Sequence, residues 1–249
     1  MIIVGDLHGR IDILKRILKQ FKNEKKLFLG DYVDSFVRPD CDIIDTVKAV
    51  LDSDAILLVG NHEFNYCGPF ADKIKNGEIS SYCSGFERSR FSELNGLLEK
   101  NKDRFKLGHF SDNVLYTHAG VTQEWIDFSC DQGLYENWQD GLSWITEAKP
   151  FDLSIHNRVF KCGCRGGVAM YAGPLWCDYR YEFKAIKGLN QIFGHTHVPG
   201  IFEYDPIRCG SKESRNFCID CLEAGYDQVM DVCTMSSGDL YCGIREIEK

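Results

Sequence analysis

The chain of 249 residues is 44% hydrophobic and 27% charged, enough to bury one large core or two modest ones, and its formal net charge is −8. That acidic balance lacks the basic footprint of a protein that holds nucleic acid through its phosphates, so no stable nucleic-acid partner is expected. No run of about 18 apolar residues occurs, and the N-terminus opens directly on strand-like residues, which predicts a soluble, cytoplasmic protein without a membrane partner. The 12 cysteines are scattered along the chain, a pattern that suits reduced cytosolic thiols better than a disulfide framework.

"MIIVG" reads as a buried strand, and after "DLHGR" the residues Ile11, Leu14, Ile17, Leu18 and Phe21 recur at helical spacing. "KLFLGD" gives a second strand, Ile43, Ile44, Val47, Val50 and Leu51 a second helix, and "AILLVGNHE" a third strand. The β-α-β-α-β order predicts a largely parallel sheet with helices packed over it. Residues 64–112 read as an insertion over the sheet edge with one helix from about Glu87 to Lys100. "NVLYTHAG" is the next strand, followed by helical patterns at Thr122–Cys130 and Leu134–Ala148 and by the unassigned stretch "KCGCRGGVAMYAGPLW". "LNQIFGHTH" is another strand. "RNFCIDCL", "QVMDVCTM" and "LYCGIREI" suggest an antiparallel meander completing a second sheet. A single domain spanning 1–249 is expected, with cap or insert segments at 64–112 and 119–190.

Functional groups of open α/β sheets gather beyond the carboxyl ends of the strands. Five strands here deliver polar residues to that edge: Asp6 and His8 in "GDLHG", Asp31 and Asp34 in "GDYVDS", Asn61 and His62 in "GNHE", His118 in "THAG", and His195 and His197 in "GHTH". Gly5, Gly30, Gly60 and Gly194 precede them, where a sharp turn without a Cβ is useful. Five of the seven histidines lie in these motifs, only His109 and His156 falling elsewhere, so core packing is a poor account of them. Carboxylates, an amide oxygen and imidazoles suit manganese, iron or zinc. The ligands exceed what one ion needs, which points to a dinuclear centre bridged by one carboxylate, with Asp31 the best bridge.

The motif order GD-x-HG, GD-x-VD, GNHE, THAG, GHTH over residues 5–197 resembles the calcineurin-like metallophosphoesterases, and within them the phosphoprotein phosphatase group. The resemblance implies a four-layer αββα sandwich, an α/β fold with two mixed β-sheets flanked by helices. It also implies that Asp6, His8, Asp31 and His197 hold one ion, and Asp31, Asn61, His118 and His195 a second. Two divalent ions, manganese first, would serve direct attack by a metal-bridging hydroxide on a phosphomonoester of a protein or small molecule. His62 would protonate the leaving oxygen and Asp34 would orient it. Dinucleoside polyphosphate hydrolysis, a nuclease and a catalytically silent scaffold are the alternatives.

The phosphatase group usually reads GDYVDRG, and here Ser35 and Phe36 stand in place of its arginine and glycine. Another cation should then bind the substrate phosphate beside Asn61. Arg165 in "CRGG", ahead of the phosphatase-like "PLWCD", is the first candidate and Arg88 the second, while Arg10 reads as a helix-start residue. Cys162 with Cys164, and Cys218 with Cys221, have zinc-like spacing. In a strand, however, Cys218 and Cys221 would face opposite sides, and buried free thiols are the preferred reading. Tyr66, Phe86, Trp125, Trp138, Trp144 and Trp176 are expected to pack core and cap.

Overall fold

Residues 1–131, 138–204, 214–234 and 240–248 are described by the computed structural model. The first apolar runs form β1 (Ile2–Val4), β2 (Lys26–Phe28) and β3 (Ile56–Leu58), which pair in parallel and are linked by α1 (Ile11–Gln20) and α2 (Asp40–Asp52). The apolar spacing of α1 places Ile11, Ile13, Leu14 and Ile17 on its buried side. After α3 (Pro69–Lys75) and α4 (Arg88–Asn101), β4 (Phe105–Lys106) joins the sheet parallel to β3. The segment read as an insertion therefore ends by supplying sheet edges, because β5 (Gly108–Ser111) follows at once and borders the second sheet.

β5 turns into β6 (Val114–Thr117) through Asp112 and Asn113, both at positive φ (53° and 59°), the backbone a two-residue hairpin needs to match strand twist. After α5 (Gln123–Asp131) and α6 (Trp138–Glu147) come β7 (Asn190–Phe193), β8 (Phe202–Glu203) and β9 (Asn216–Cys218). The helical reading from Leu134 is met from Trp138 onward, its first residues lying outside those described. The second sheet runs β5-β6-β7-β9-β8, with β6, β7 and β9 parallel and the two edges antiparallel.

The tail departs from the expected meander. β9 inserts between β7 and β8, whereas β10 (Gln228–Thr234) and β11 (Leu240–Glu246) form a hairpin that adds to the first sheet beside β1. β8 already covers the outer edge of β9, so the next strands have no place there, and β1 offers an unpaired edge in the other sheet.

Strand alternation sorts the side chains into layers. Ile3, Leu27, Leu29 and Leu58 meet Val114, Tyr116, Ile192, Phe217 and Met230 between the sheets. Their neighbours Ile2, Val4, Phe28 and Leu57 point the other way, into the cluster that holds the buried faces of α1, α2 and α4. Leu115, flanked by the inward Val114 and Tyr116, joins Ile126 of α5 with Leu142 and Ile145 of α6. The result is an αββα sandwich of two mixed sheets. Each fully buried Leu or Ile contributes roughly 1.5–3 kcal/mol, which fixes the strand ends against one another. Among the described residues no helix is long and apolar enough to cross a membrane.

Candidate metal centre

The loops after β1, β2, β3, β6 and β7 meet at one edge of the sandwich, around a cavity of about 190 Å³. His8, Asp31, Asp34, Asn61, His62, His195 and His197 line it. Asp31 is the centre: its Oδ2 lies 3.3 Å from His118 Nε2, 3.6 Å from His8 Nε2 and 4.0 Å from His62 Nε2. His8 Nδ1 donates to the Val33 and Asp34 carbonyls and His118 Nδ1 to the Leu29 carbonyl. A carbonyl only accepts, so Nδ1 carries a proton in both rings and Nε2 is the nitrogen turned toward Asp31, the arrangement in which an imidazole ligates once that nitrogen has lost its proton.

His118 Nε2 is also 3.0 Å from Asn61 Oδ1 and 3.1 Å from His195 Nδ1. Burial, then the charges of His118 and Arg165, hold His195 well below the ordinary imidazole range, leaving it neutral. His195 Nε2 is buried without a partner. Asp6 is pushed well above the usual carboxylate range by burial and then by the charges of Asp220 and Asp31. A convergence of lone pairs and crowded carboxylates is what a cation would relieve, so the residues fit divalent metal. The side-chain atoms of Asp31, His118 and His195 converge to within 4.8 Å of one another, and so do those of His8, His197 and Glu223.

Asp6, expected in the first-ion set, is buried, and both its oxygens accept from the His195 N–H, at 3.3 and 3.1 Å. His197 sits at the rim with its side chain 54% exposed, its Nε2 3.2 Å from Glu223 Oε2.

The glycines act differently from the expectation. Only Gly30, of the four before the ligands, has positive φ (111°). A Cβ on Gly60 would stand 2.1 Å from Asp31 Oδ1, and one on Gly194 2.2 Å from Asp6 Oδ1, so close approach is what these two positions require. The left-handed backbone falls on the functional residues themselves: φ is 42° at His8, 52° at Asp31, 58° at Asp34 and 67° at His195. Such strain persists only where surrounding contacts over-determine the backbone.

Those contacts come largely from residues to which the sequence alone assigns no role. Glu63, fully buried, accepts from the N–H groups of Gly60 (2.7 Å), Tyr32 (2.8 Å), Asp31 (3.0 Å) and Val33 (3.4 Å), tying the loops after β2 and β3 together. That answers why a carboxylate ends "GNHE". His62 Nδ1 is 3.1 Å from Asp34 Oδ2, and Asp34 is itself held by Tyr66 Oη (2.5 Å) and Asn65 Nδ2 (2.8 Å). Burial pulls His62 down, but the neighbouring Cys83, the charge of Asp31 and the Asp34 hydrogen bond outweigh it and hold the ring well above the ordinary imidazole range.

The two arginine candidates separate. Arg165 lines the cavity, with Nε bonded to Asp178 Oδ2 (3.0 Å) and Nη2 to Thr196 Oγ1 (3.1 Å). Arg88 is not brought to the site: its Nη1 donates to the Ile74 carbonyl and its guanidinium lies over Phe91. Arg10 stands at the start of α1 as expected and donates to the Leu222 carbonyl.

Cys218 and Cys221 are buried free thiols, but they share one apolar cluster, because β9 ends at Cys218 and the chain bends before Cys221. Among the described residues no metal-like group includes Cys162, Cys164, Cys218 or Cys221. Tyr66 and Trp125 are fully buried, and Phe86, Trp144 and Trp176 pack against the apolar clusters, while the side chain of Trp138 lies outside the described residues.

No curated protein matches the chain. Solved structures similar to it include hypothetical protein PH1004 from Pyrococcus horikoshii OT3, at 10% identity and TM-score 0.43, covering 100% of this chain and 88% of that one. Another is TT1561 of Thermus thermophilus, at 9% identity and TM-score 0.41, covering 97% and 96%. The sequence profile of the calcineurin-like phosphoesterases matches residues 1–199, which hold every strand-end motif described above. The chain belongs to the calcineurin-like phosphoesterase family.

Proposed function

We propose that this phosphoesterase is a phosphomonoesterase with chemistry like that of the serine/threonine phosphatases, using two divalent ions of which manganese is the first choice. The observation that carries the reading is the His62–Asp34 pair, 3.1 Å apart, set against Asp31 in a cavity of about 190 Å³. That volume suits one phosphoryl group with its alcohol outside, and is small beside the roughly 300–1,000 Å³ pockets that enclose larger ligands. It therefore favours a monoester over a dinucleoside polyphosphate.

Asp31, Asn61, His118 and His195 would hold one ion, and His8, Asp31 and His197 the other, with Asp6 behind them. When bound, the ions supply Lewis-acid chemistry, activating water and neutralising phosphate charge. His62 carries the proton for the leaving oxygen, and the Asp34 hydrogen bond keeps its ring turned for delivery. Arg165, braced by Asp178 and Thr196, offers a guanidinium to the phosphate in place of the arginine that Ser35 replaces. Trp176, beside His195 at 5.6 Å between ring centroids, helps wall the cavity from water.

The test is metal-free protein refilled separately with manganese, zinc and magnesium, offered p-nitrophenyl phosphate, its bis ester, a phosphoserine peptide and diadenosine tetraphosphate. Metal-dependent turnover confined to the monoesters supports the reading. Preference for the dinucleotide or the diester overturns it, as does silence on all four with metal bound.

A further inference from the structure

Asp220 is fully buried, yet neither of its carboxylate oxygens accepts a hydrogen bond. An ionisable group in that state requires a partner, because burial removes water without replacing its donors. Its placement says where the partner lies. Asp220 follows β9 as the other site residues follow their strands, and its backbone is fixed to the histidine loop after β7: the Ile219 N–H donates to the Phe193 carbonyl and the Val198 N–H to the Asp220 carbonyl. On the other side Gly5 packs so closely that a Cβ there would lie 2.5 Å from the Ile219 carbonyl oxygen, pressing the loop of Asp6 and His8 onto Asp220. Asp220 Oδ2 faces His197 Nε2 at 3.6 Å, too long for a hydrogen bond, and Glu223, three residues on, reaches the same nitrogen at 3.2 Å. Glu223 lines the cavity, and its carboxylate converges with the ring nitrogens of His8 and His197.

We propose that the loop after β9 supplies two further carboxylates, Asp220 and Glu223, to the ion held by His8 and His197, and that they make this position selective for a hard, oxygen-preferring divalent ion such as manganese or magnesium. Both positions then have two imidazoles, His8 and His197 at the first and His118 and His195 at the second, but the first has carboxylates from Asp31, Asp220 and Glu223 about it, whereas the second adds only one carboxylate and one amide. Oxygen-rich donor sets favour magnesium and manganese, and imidazole-rich ones tolerate zinc. The two positions should therefore differ in which metal they take.

This inference rests on the metal-centre reading, and the experiment separates the two. Manganese binding to wild type, Asp220→Asn, Glu223→Gln, His197→Ala and the double variant His197→Ala/Asp220→Asn is measured by equilibrium dialysis with metal analysis, alongside thermal melting with and without metal. Wild type should bind two ions. Asp220→Asn and Glu223→Gln should each weaken one of them at least tenfold and leave the other unchanged, and metal-free Asp220→Asn should melt above metal-free wild type because its uncompensated charge is gone. Asp220→Asn should also weaken binding further when added to His197→Ala. Unchanged affinities in both single variants overturn the proposal, a lower melting point of metal-free Asp220→Asn marks a structural carboxylate and overturns it, and no added loss in the double variant reduces Asp220 to a positioning residue for His197. Wild type that binds no manganese refutes the metal centre itself. Should Asp220→Asn fail to fold, Glu223→Gln alone decides.

Discussion

His62, partly buried, and Asp31, fully buried, face the same cavity, yet they should fail in different ways. Asp31 stands among the nitrogens of His8, His118 and His62, so Asp31→Asn removes the central charge and should abolish metal retention and turnover together. His62 is outside the proposed ligand set. His62→Asn should keep most of the metal and lose turnover by about 10²–10⁴-fold, the usual range for a general acid, most severely on substrates with poor leaving groups. Metal content measured beside kcat checks both, and a His62→Asn protein as active as wild type on alkyl phosphates would sink the proton-donor role. Glu63 makes a third case, far from substrate in chemistry but decisive for geometry. Its carboxylate satisfies four backbone N–H groups, and Glu63→Gln turns an amide NH₂ toward some of them. Leaving buried donors unpaired should destabilise the fold by about 3 kcal/mol, read by urea unfolding, and should lower metal affinity as the Asp31 loop loosens. The candidate ligands are legible in sequence because each is a polar residue where an apolar run stops. Glu63, Asn65 and Tyr66 are not, because their roles depend on contacts between loops more than 15 residues apart, such as Tyr66 on Asp34 and Asn65 on Tyr82.

At the level of single elements, the strand ends are easier to see than the strand limits. β1, β2, β3, β6 and β7 sit where short apolar runs put them, since strands with both faces covered need such runs. "RNFCIDCL" reads as one long strand, but β9 stops at Cys218, and that difference hides Asp220: a residue that looks like mid-strand in the string is a strand-end carboxylate in the fold. β10 and β11 are visible as strands, but their sheet is not, because the deciding factor is which edge lies bare after β8 has docked. The limits of α4 match its sequence pattern within a residue or two, whereas the seven-residue α3 is too short to show a periodic apolar face. The glycine that follows β3 carries its own prediction. Gly60→Ala would force a methyl to within 2.1 Å of Asp31 Oδ1 and 2.5 Å of the Asp31 nitrogen, so the loops must part. The variant should lose metal binding and most activity while its far-ultraviolet circular dichroism remains that of the folded protein. Normal metal stoichiometry in Gly60→Ala would show that the loops have slack that their hydrogen bonds deny.

Across the whole molecule, the sandwich brings together residues from positions 6 to 223 at one edge, and no local stretch holds more than two or three of them. Family membership and the αββα architecture can be read from the motifs because the loops occur in fixed order after the strands. Substrate selectivity cannot, because side chains that line the cavity, such as Phe36 and Arg165, reach it from irregular segments whose course the motifs do not fix. Metal removal should be felt globally. Ligands that bind only the folded state add stability by mass action, about 2.7 kcal/mol for an ion at a hundred times its dissociation constant. At roughly 2–4 °C per kcal/mol for a chain of this size, chelation should lower the melting temperature by about 5–10 °C for each ion removed, and restoring manganese should reverse it. A melting curve indifferent to chelator would contradict a metal centre that bridges five loops.

The hairpin of β10 and β11 also bears on how the protein is made. β1, which leads into Asp6 and His8, is flanked on one side by β10, and the Met1 amino group bonds the Val232 carbonyl 231 positions away in sequence. Contacts of such separation are slow to form, and a chain emerging from the ribosome in order cannot cover that flank of β1 until Gln228–Thr234 has emerged. Until then β1 is an exposed edge, open to pairing with another nascent chain. The acquisition of metal should accordingly wait for β10, and a pulse-labelled population should pass through a protease-sensitive form before it becomes able to retain manganese.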